Sequence, residues 1–191
     1  YDLPHHQYQK RAQKELAKAD RTVSRRSKPK GQPQSHGYRL AKFKAARLKK
    51  KIANQRKHAA RKWAKKVAED HDLIAVEDFQ PKFLAKTTMA KKSADAAIGA
   101  AKMALIWQAT KRGRTLELVH PAHTTMDCAQ CGARAKHRLP LGQRTYTCQS
   151  CGAFRSRDKN SAAVMVARAG FVPADAEGVR PGVAVVLPLA S

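Results

Sequence analysis

The 191-residue chain carries 39 Lys and Arg residues against 14 Asp and Glu residues, which gives a formal net charge of +25. A charge this large favours a polyanionic partner, and nucleic acid ahead of a membrane surface. Because the sequence holds neither a signal-peptide pattern nor an apolar run long enough to span a bilayer, we expect a cytoplasmic protein without a membrane partner.

Residues 1–71 are predicted to form a basic helical hairpin that faces nucleic acid. Between positions 10 and 66 there are 22 Lys and Arg residues and only two acidic residues. Like charges one helical turn apart repel one another, so this segment gains most when phosphate groups neutralise it. The alternative is a solvated basic surface without a partner. The basic side chains expected to contact nucleic acid here are Arg47, Lys50, Lys51, Arg56, Lys57 and Arg61.

Two helices are predicted within the hairpin, over residues 7–24 and 38–69. Two prolines and a glycine between positions 28 and 33 separate them, because these residue types interrupt helices. Apolar positions three, four or seven apart on the second helix predict one narrow buried stripe. Trp107, on a later helix, is also expected in the core rather than as a surface for base stacking. The predicted stripe consists of Leu40, Phe43, Leu48, Ile52, Ala59, Trp63 and Val67.

Residues 72–121 are predicted to form a strand, a helix and a second strand. An apolar run within 72–79 predicts a buried strand, and residues 115–120 predict the second one. Ser93 is expected to cap the helix between them, with Asp95 in its first turn. A unit of this kind makes adjacent parallel strands. The predicted fold class is therefore α/β.

Residues 122–155 contain all four cysteines of the chain, in two C-x-x-C-G pairs. Cys128 pairs with Cys131 and Cys148 with Cys151, and sixteen residues lie between the pairs. This spacing is typical of two knuckles that supply four thiolates to one tetrahedral Zn²⁺. Two disulfides are the alternative. We predict a structural zinc ribbon, in which the metal replaces a hydrophobic core that so short a segment cannot build.

The segments around these elements are shorter or less regular. Residues 156–171 are predicted to form a final short helix, and residues 172–191 a disordered tail, while residues 82–92 are expected to be a mobile polar loop. Arg138, between the cysteine pairs, and Arg157, just after them, are also expected to contact nucleic acid.

Two acidic residues are candidates for a second metal site. Glu77 lies at the carboxyl end of the first predicted strand, where α/β folds place their ligands, and Asp158 opens the final helix. Carboxylates suit Mg²⁺ or Mn²⁺, and two such ions can activate a water and stabilise the leaving oxygen of a phosphodiester. The alternatives are a solvent-exposed acid and an ordinary helix cap. Asp78 is the second candidate at the strand end, although strand alternation directs it to the opposite face.

Taken together, these motifs resemble the C-terminal part of the TnpB/OrfB proteins of bacterial insertion sequences, relatives of the type V CRISPR effector nucleases. The resemblance extends from about residue 10 to residue 170. Five features match in order: the basic hairpin ending in Ile52-Ala53-Asn54-Gln55-Arg56, the strand Ile74-Ala75-Val76-Glu77-Asp78-Phe79, the helix and strand ending in Val119-His120-Pro121, the two C-x-x-C-G pairs, and Arg157-Asp158-x-Asn160 before a small-residue helix.

This resemblance implies a partial RuvC-like RNase H fold that contains the long basic hairpin and has a zinc ribbon inserted before its last helix. By position in the family pattern, Glu77 is the second catalytic carboxylate and Asp158 is the third. The family cuts DNA under the guidance of a transposon-encoded RNA. The implied partners are therefore DNA and a guide RNA, and the implied catalytic cofactor is Mg²⁺ or Mn²⁺.

The sequence departs from the family pattern at the first catalytic aspartate. That aspartate ends a strand upstream of the basic hairpin, and Asp2 has no preceding apolar strand. Milder departures are Ser156, where the family often has an acid, and Thr125, where it often has serine. We therefore expect a fragment or a decayed copy, which alone binds nucleic acid without cutting it.

Two other functions stay open from the residues alone. A non-catalytic zinc-ribbon protein that binds nucleic acid would have the same charge and the same cysteine pairs. A transposase that catalyses strand transfer would use the same carboxylate chemistry as a hydrolase.

Overall fold

The computed structural model describes residues 6–78, 88, 90–140 and 142–171. This part of the chain is a mixed arrangement of helices and strands with two separate two-stranded sheets. None of its helices is long and apolar enough to cross a membrane. In chain order the elements are α1 (Tyr8–Arg11), α2 (Gln13–Arg26), α3 (His36–Asp70), β1 (Leu73–Glu77), α4 (Ala90–Ala96), α5 (Ile98–Lys111), β2 (Thr115–Val119), β3 (Thr145–Thr147), β4 (Phe154–Ser156) and α6 (Arg157–Arg168).

The basic hairpin consists of α2 and α3, which pack along each other. Ser35 caps α3, because its Oγ accepts a hydrogen bond of 3.1 Å from the N–H of Tyr38. Lys28 and Gln34 close the connection, since the backbone of the first and the side-chain amide of the second exchange two hydrogen bonds of 3.0 Å. The two predicted helices are thus confirmed, except that Ala12 divides the first into α1 and α2.

The buried face of α3 differs from the predicted stripe in its first half. Ala41 and Ala45 are buried there, whereas Leu40 and Phe43 are 42% and 59% exposed. The buried positions in this half of α3 are thus small alanines, and the larger apolar side chains beside them face solvent. Ile52, Trp63 and Val67 of the predicted stripe are buried, which confirms these positions. Leu48 and Ala59 are half-buried.

β1 and β2 form a parallel sheet, and α4 and α5 lie between them in the chain, which confirms a helical crossover between two parallel strands. Ile74 and Val76 are fully buried on one face of this sheet. They pack against Val67 of α3 and Leu105 of α5. This face of the sheet therefore holds the main hydrophobic core.

The opposite face of the sheet is covered by α6. Ala75 and Val119 pack there against Met165, and all three side chains are buried. Glu77 pairs in register with Val119, so strand alternation places its side chain on the α6 face. The sheet thus lies between α3 and α5 on one side and α6 on the other, with Glu77 at its carboxyl end.

The predicted helix between the strands is two helices with a sharp break. α4 begins at Ala90, so the prediction that the helix begins at a Ser93 cap is wrong. Ala97 has a left-handed φ of 54°, which separates α4 from α5 at Ile98. Asp95 consequently lies in the last turn of α4 instead of the first turn of a longer helix.

Two predicted irregular segments fall mainly outside the described residues. The tail over 172–191 lies wholly outside them, as does most of the loop over 82–92. Residues 90–92 belong to α4, so the loop prediction is wrong for these positions.

Trp107 is 56% exposed on α5, so its predicted place in the core is wrong. The Nζ atom of Lys111, one turn later, lies 5.1 Å from the centre of the Trp107 ring. Ala101 and Leu105 are fully buried on the inner face of the helix. Trp107 follows Leu105 by two residues, about 200° around the helix, and so lies on the other side.

The carboxylate of Asp95 joins three helices. It accepts hydrogen bonds of 2.9 and 3.3 Å from the backbone N–H groups of Gln9 and Lys10, which have no partner within the first turn of α1. The Nη2 atom of Arg56 in α3 donates to it at 2.8 Å, and the Asp95 side chain is 9% exposed. Burial raises the pKa of Asp95, but the hydrogen bonds from these three residues outweigh burial and hold the pKa below its usual value.

Replacing Asp95 with asparagine is expected to lower the free energy of unfolding by about 2–3 kcal/mol, because the Arg56 side chain, which is 18% exposed, loses its carboxylate partner. Since the folded-state pKa of Asp95 is lowered, its stabilising effect is present above pH ~4 and is lost as the pH falls through the folded-state pKa. Urea unfolding should therefore separate the two proteins clearly at neutral pH and much less in acid.

Asp20→Asn is the matched control for this prediction. Asp20 also accepts a bond of 2.8 Å, from Lys49, but the two side chains are 53% and 58% exposed. An exposed pair of this kind contributes little, so the control should lose less than ~0.5 kcal/mol. Equal losses in the two variants at neutral pH would contradict a special role for the buried pair.

Candidate metal centre and nucleic-acid interface

The four cysteines form one cluster between the two knuckles. Their Sγ atoms all lie within 4.8 Å of one another. Two of the pairs join one knuckle to the other, Cys128 to Cys151 at 3.8 Å and Cys131 to Cys148 at 3.6 Å. Thiolates that surround a tetrahedral Zn²⁺ at about 2.3 Å lie about 3.8 Å apart, whereas a disulfide requires about 2.05 Å. The four cysteines could therefore hold a metal ion such as zinc, and they are not joined as two disulfides.

Both knuckles have the same backbone geometry. The N–H of Cys128 donates to the carbonyl of Ala133 at 2.9 Å, and the N–H of Gly132 donates to the carbonyl of Cys128 at 2.9 Å. Cys148 and Gly152 make the equivalent bonds in the second knuckle at 2.9 and 3.0 Å. Each glycine has a φ of 73°, a conformation that glycine adopts most easily, which explains the glycine after each cysteine pair.

The interior of the ribbon is small, and its backbone favours a thiolate at Cys148. Tyr146 is 2% exposed and packs with Cys128 and Cys148. Hydrogen bonds from the N–H groups of Cys151 and Ser150 lower the pKa of the Cys148 thiol to about 6. The thiolate is the form of cysteine that binds metal ions, so this geometry suits a metal ligand.

Asn160 fastens the ribbon to α6. Its side chain is 1% exposed, its Nδ2 donates to the carbonyl of Asp127 at 2.7 Å, and its Oδ1 accepts from the N–H of Ala129 at 3.1 Å. Arg168 of α6 donates to the Asp127 carboxylate at 2.6 Å. The first knuckle is therefore held against the helix whose first turn carries Asp158. Asn160 was part of the family motif in the sequence, but its bonds to the ribbon were not predicted.

Glu77 ends β1 with its side chain half-buried. Burial raises the pKa of Glu77, and the positive charge of Lys102 partly offsets this effect. Lys102 also donates to Asp78 at 2.8 Å, and its own side chain is 15% exposed. A carboxylate whose charged form is destabilised by burial is one that a bound cation would stabilise. Lys102 had no predicted role, although its place as a lysine within the apolar part of α5 was an available signal.

Asp158 lies in the first turn of α6 with its side chain 59% exposed, and its carboxylate is 3.7 Å from the Nε of Arg157. Ser156 occupies the N-cap position but forms no side-chain cap hydrogen bond. Because α6 packs against β1 through Met165, Glu77 and Asp158 stand on elements in contact. A metal site needs three or more His, Cys, Asp or Glu side chains close together, and among the described residues the four cysteines meet this condition. Glu77 and Asp158 do not belong to such a group within the described part of the chain.

A groove of about 830 Å³ runs along the exposed face of α3 and includes Tyr8 of α1. Among the described residues, the charged side chains that line it are Arg47, Lys50 and Lys51, all of which are predicted nucleic-acid contacts. Phe43 lines the same groove. The groove therefore combines positive charge with aromatic surface.

The other predicted contacts differ in their surroundings. Arg56 is half-buried and its guanidinium is bound to Asp95. Arg157 is also half-buried, and its Nη1 donates to the carbonyl of Pro140 at 3.3 Å. The side chains of Arg56 and Arg157 are therefore bonded within the protein. For all of the predicted nucleic-acid-binding residues, contact with nucleic acid stays a prediction. The remaining predicted contacts are exposed: Lys57, Arg61 and Arg138.

Two family models match successive parts of this chain. The model of the OrfB family, described as a probable transposase, matches residues 2–88. The model described as the Cas12f1-like TNB domain matches residues 99–165, which include the cysteine cluster. The two matches together cover the hairpin, the parallel sheet and the ribbon.

Three curated relatives align with the chain. A putative RNA-guided DNA endonuclease of Streptomyces pristinaespiralis is 30% identical over 180 residues, which cover 93% of this chain and 42% of the relative. The putative RNA-guided DNA endonuclease InsQ of Escherichia coli is 30% identical over 186 residues, which cover 89% of this chain and 45% of the relative. The CRISPR-associated DNA-binding protein Cas12m of Allomeiothermus silvanus is 28% identical over 138 residues, which cover 68% of this chain and 26% of the relative.

A solved structure, the cryo-EM structure of the Cas12f1–sgRNA–target DNA complex, aligns with a TM-score of 0.48 and 15% identity, covering 81% of this chain and 42% of that chain. The chain spans less than half the length of the curated relatives that it matches. The two family models, the relatives and the ordered motifs agree on one assignment. The chain belongs to the TnpB/OrfB family of insertion-sequence proteins.

Proposed function

We propose that this chain is the C-terminal part of a TnpB-type protein that binds DNA together with a guide RNA and, in its complete form, hydrolyses DNA. The observation that carries this proposal is the alignment of 93% of the chain with a putative RNA-guided DNA endonuclease. In this proposal the cysteine cluster is a structural zinc ribbon. The proposed division of the chain is a nucleic-acid-facing hairpin (1–71), two parts of a RuvC-like RNase H fold (72–121 and 156–171) and the ribbon (122–155).

Glu77 and Asp158 are the proposed ligands of the catalytic Mg²⁺ or Mn²⁺. Both offer carboxylate oxygens, which hard divalent ions prefer, and the burial that raises the pKa of Glu77 makes a nearby cation favourable. When bound, such ions supply an activated water and stabilise the leaving oxygen of the phosphodiester. The sheet holds Glu77 at the end of β1, and α6 holds Asp158. The family pattern requires a further aspartate upstream of the hairpin, so we expect the 191-residue chain alone to bind nucleic acid without cutting it.

The experiment that tests this function is cleavage of a labelled target DNA by the full-length protein with its guide RNA and Mg²⁺. RNA-dependent cleavage that EDTA stops supports the proposal. If the protein binds the target DNA under these conditions but does not cleave it, the nuclease hypothesis is overturned and the non-catalytic zinc-ribbon alternative is favoured.

Replacing Lys50 and Lys51 together with glutamine should weaken binding of the chain to a DNA duplex about tenfold near physiological salt. The slope of log K against log salt should fall by about two, because each lost phosphate contact contributes about 0.9 to this slope. Fluorescence anisotropy across a salt series measures both quantities. The matched control replaces Lys14 and Lys18 of α2, which are exposed outside the groove, and should change the slope much less. Equal slopes for the two double variants would show that only overall charge matters.

Strand transfer is the second candidate function, because the matching OrfB model is described as a probable transposase. The same carboxylates serve hydrolysis and transfer. End analysis separates the two reactions: hydrolysis leaves free DNA ends, whereas transfer joins a 3′ end to a second DNA. Free ends that require the guide RNA support the nuclease, and joined products formed without RNA overturn it.

A further inference from the structure

Phe43 is an exposed aromatic residue within a basic surface. Phe43 is 59% exposed, although burying a phenylalanine side chain away from water is energetically favourable. The guanidinium of Arg47, one turn along α3, lies 5.8 Å from the centre of its ring. The buried residues in this half of α3 are instead Ala41 and Ala45, so the Phe43 ring lies mostly outside the packed face of the helix.

The groove beside Phe43 extends along several turns of α3. Its lining runs from Phe43 to His58, a rise of about 22 Å at roughly 1.5 Å per residue. Tyr8 of α1 contributes a second aromatic ring to the same groove. Asn54 and Gln55 also line it and offer both hydrogen-bond donors and acceptors.

We propose that this groove binds an unpaired segment of RNA, with a base stacked on Phe43 and phosphates held by Arg47, Lys50 and Lys51. The inference rests on the proposed function and deepens it, because it assigns one surface of the hairpin to one form of nucleic acid. Aromatic platforms beside positive charges are the combination that single strands require, since every unpaired base offers a π face.

Duplex binding would use the charges of this groove but not its rings. The bases of a duplex are already stacked on one another, so an exposed phenylalanine on the backbone side gains nothing from them. The side-chain amides of Asn54 and Gln55 can donate to and accept from a ribose 2′-OH, which DNA lacks. The groove therefore suits unpaired RNA better than a duplex or a DNA strand.

The test compares binding of the chain to an unstructured RNA of about twelve nucleotides, to the same sequence as an RNA duplex, and to the same sequence as single-stranded DNA. Fluorescence anisotropy at fixed salt gives each affinity. Phe43→Ala should weaken binding of the RNA strand about tenfold, within the range for loss of one stacked base, and change duplex binding less than about twofold. Phe43→Tyr should keep the affinity for the RNA strand, because tyrosine retains the ring.

Leu40→Ala is the matched control, because Leu40 is another exposed apolar residue on α3 that does not line the groove. It should leave all three affinities within about twofold. Photo-crosslinking with 5-iodouridine in the RNA strand should label the peptides that contain Phe43 or Tyr8. Equal losses on strand and duplex, or no loss with Phe43→Ala, would overturn the stacking site, and equal binding of the DNA strand would overturn its assignment to RNA.

These outcomes separate the inference from the proposed function. A chain that binds nucleic acid with a steep salt dependence, but does not respond to Phe43→Ala, refutes the stacking site and leaves the proposed function intact. A wild-type chain that binds neither RNA nor DNA refutes both.

Discussion

Cys148→Ser is expected to abolish zinc binding and to unfold the ribbon. Serine offers no thiolate, and Cys148 is 4% exposed in the same small cluster as Tyr146, so the metal and the core are lost together. Structural zinc contributes ~10–16 kcal/mol in zinc-finger peptides, far more than a core of this size can replace. Metal analysis should find about one zinc per wild-type chain and almost none in the variant, and proteolysis between the knuckles should become much faster.

Ser150→Ala is the control, because Ser150 is an exposed residue between the same two cysteines. It should retain zinc and resist proteolysis, whereas removal of zinc from the wild-type chain by a chelator should reproduce the Cys148→Ser pattern. A wild-type chain that carries no metal and has its cysteines oxidised in pairs would contradict the zinc ribbon.

Glu77→Gln is expected to reduce DNA cleavage by the full-length protein with its guide RNA by at least about a thousandfold. The amide cannot carry the negative charge that a metal ligand supplies, and a loss of ~4 kcal/mol in the transition state corresponds to about this factor. Stability should be unchanged or slightly higher, because burial raises the pKa of Glu77 and so disfavours its charged form in the folded protein. Cleavage rates and urea unfolding, measured together, test both halves of this prediction.

Two neighbouring acids provide controls for Glu77. Glu117 is exposed on β2 and Glu117→Gln should cleave at close to the wild-type rate. Asp78→Asn should have a smaller effect than Glu77→Gln, because Asp78 is bound to Lys102 of α5 on the other side of the sheet. If Asp78→Asn reduced the cleavage rate more than Glu77→Gln does, Asp78 and not Glu77 would be the metal ligand. Cleavage of DNA by the 191-residue chain alone would contradict its predicted inactivity.

The features predicted correctly from the sequence are those set by local pattern. Prolines and glycine between the helices defined the hairpin, and the apolar run before Glu77 defined β1 and the parallel unit. The spacing of the cysteine pairs predicted one cluster of four sulfur atoms, because a C-x-x-C turn brings its two thiols together without help from the rest of the fold. The roles of Glu77 and Asp158 as metal ligands stay predictions.

The features that were missed depend on which elements meet in space. Periodicity identified the apolar positions of α3 but not the side chosen by α2, so Phe43 was assigned to the core. Asp95 looked like an ordinary first-turn acid because its partners Gln9 and Arg56 are far away in sequence. Asn160 could not be interpreted without the knuckle whose backbone it binds. Long-range polar contacts of this kind leave no periodic signal in a single sequence.

The bonds of Asn160 connect metal supply to catalysis in the proposed enzyme. Its two partners are backbone groups of the first knuckle. In the proposed zinc ribbon, this knuckle would be ordered only while the cysteines hold their ion. Loss of zinc therefore frees the start of α6, and the carboxylate of Asp158 with it. By thermodynamic linkage, zinc and any ligand that needs the ordered start of α6, such as magnesium, RNA or target DNA, should then strengthen one another's binding. Activity at a fixed substrate concentration should therefore rise with free zinc, and added target DNA should lower the zinc concentration that gives half of the full activity.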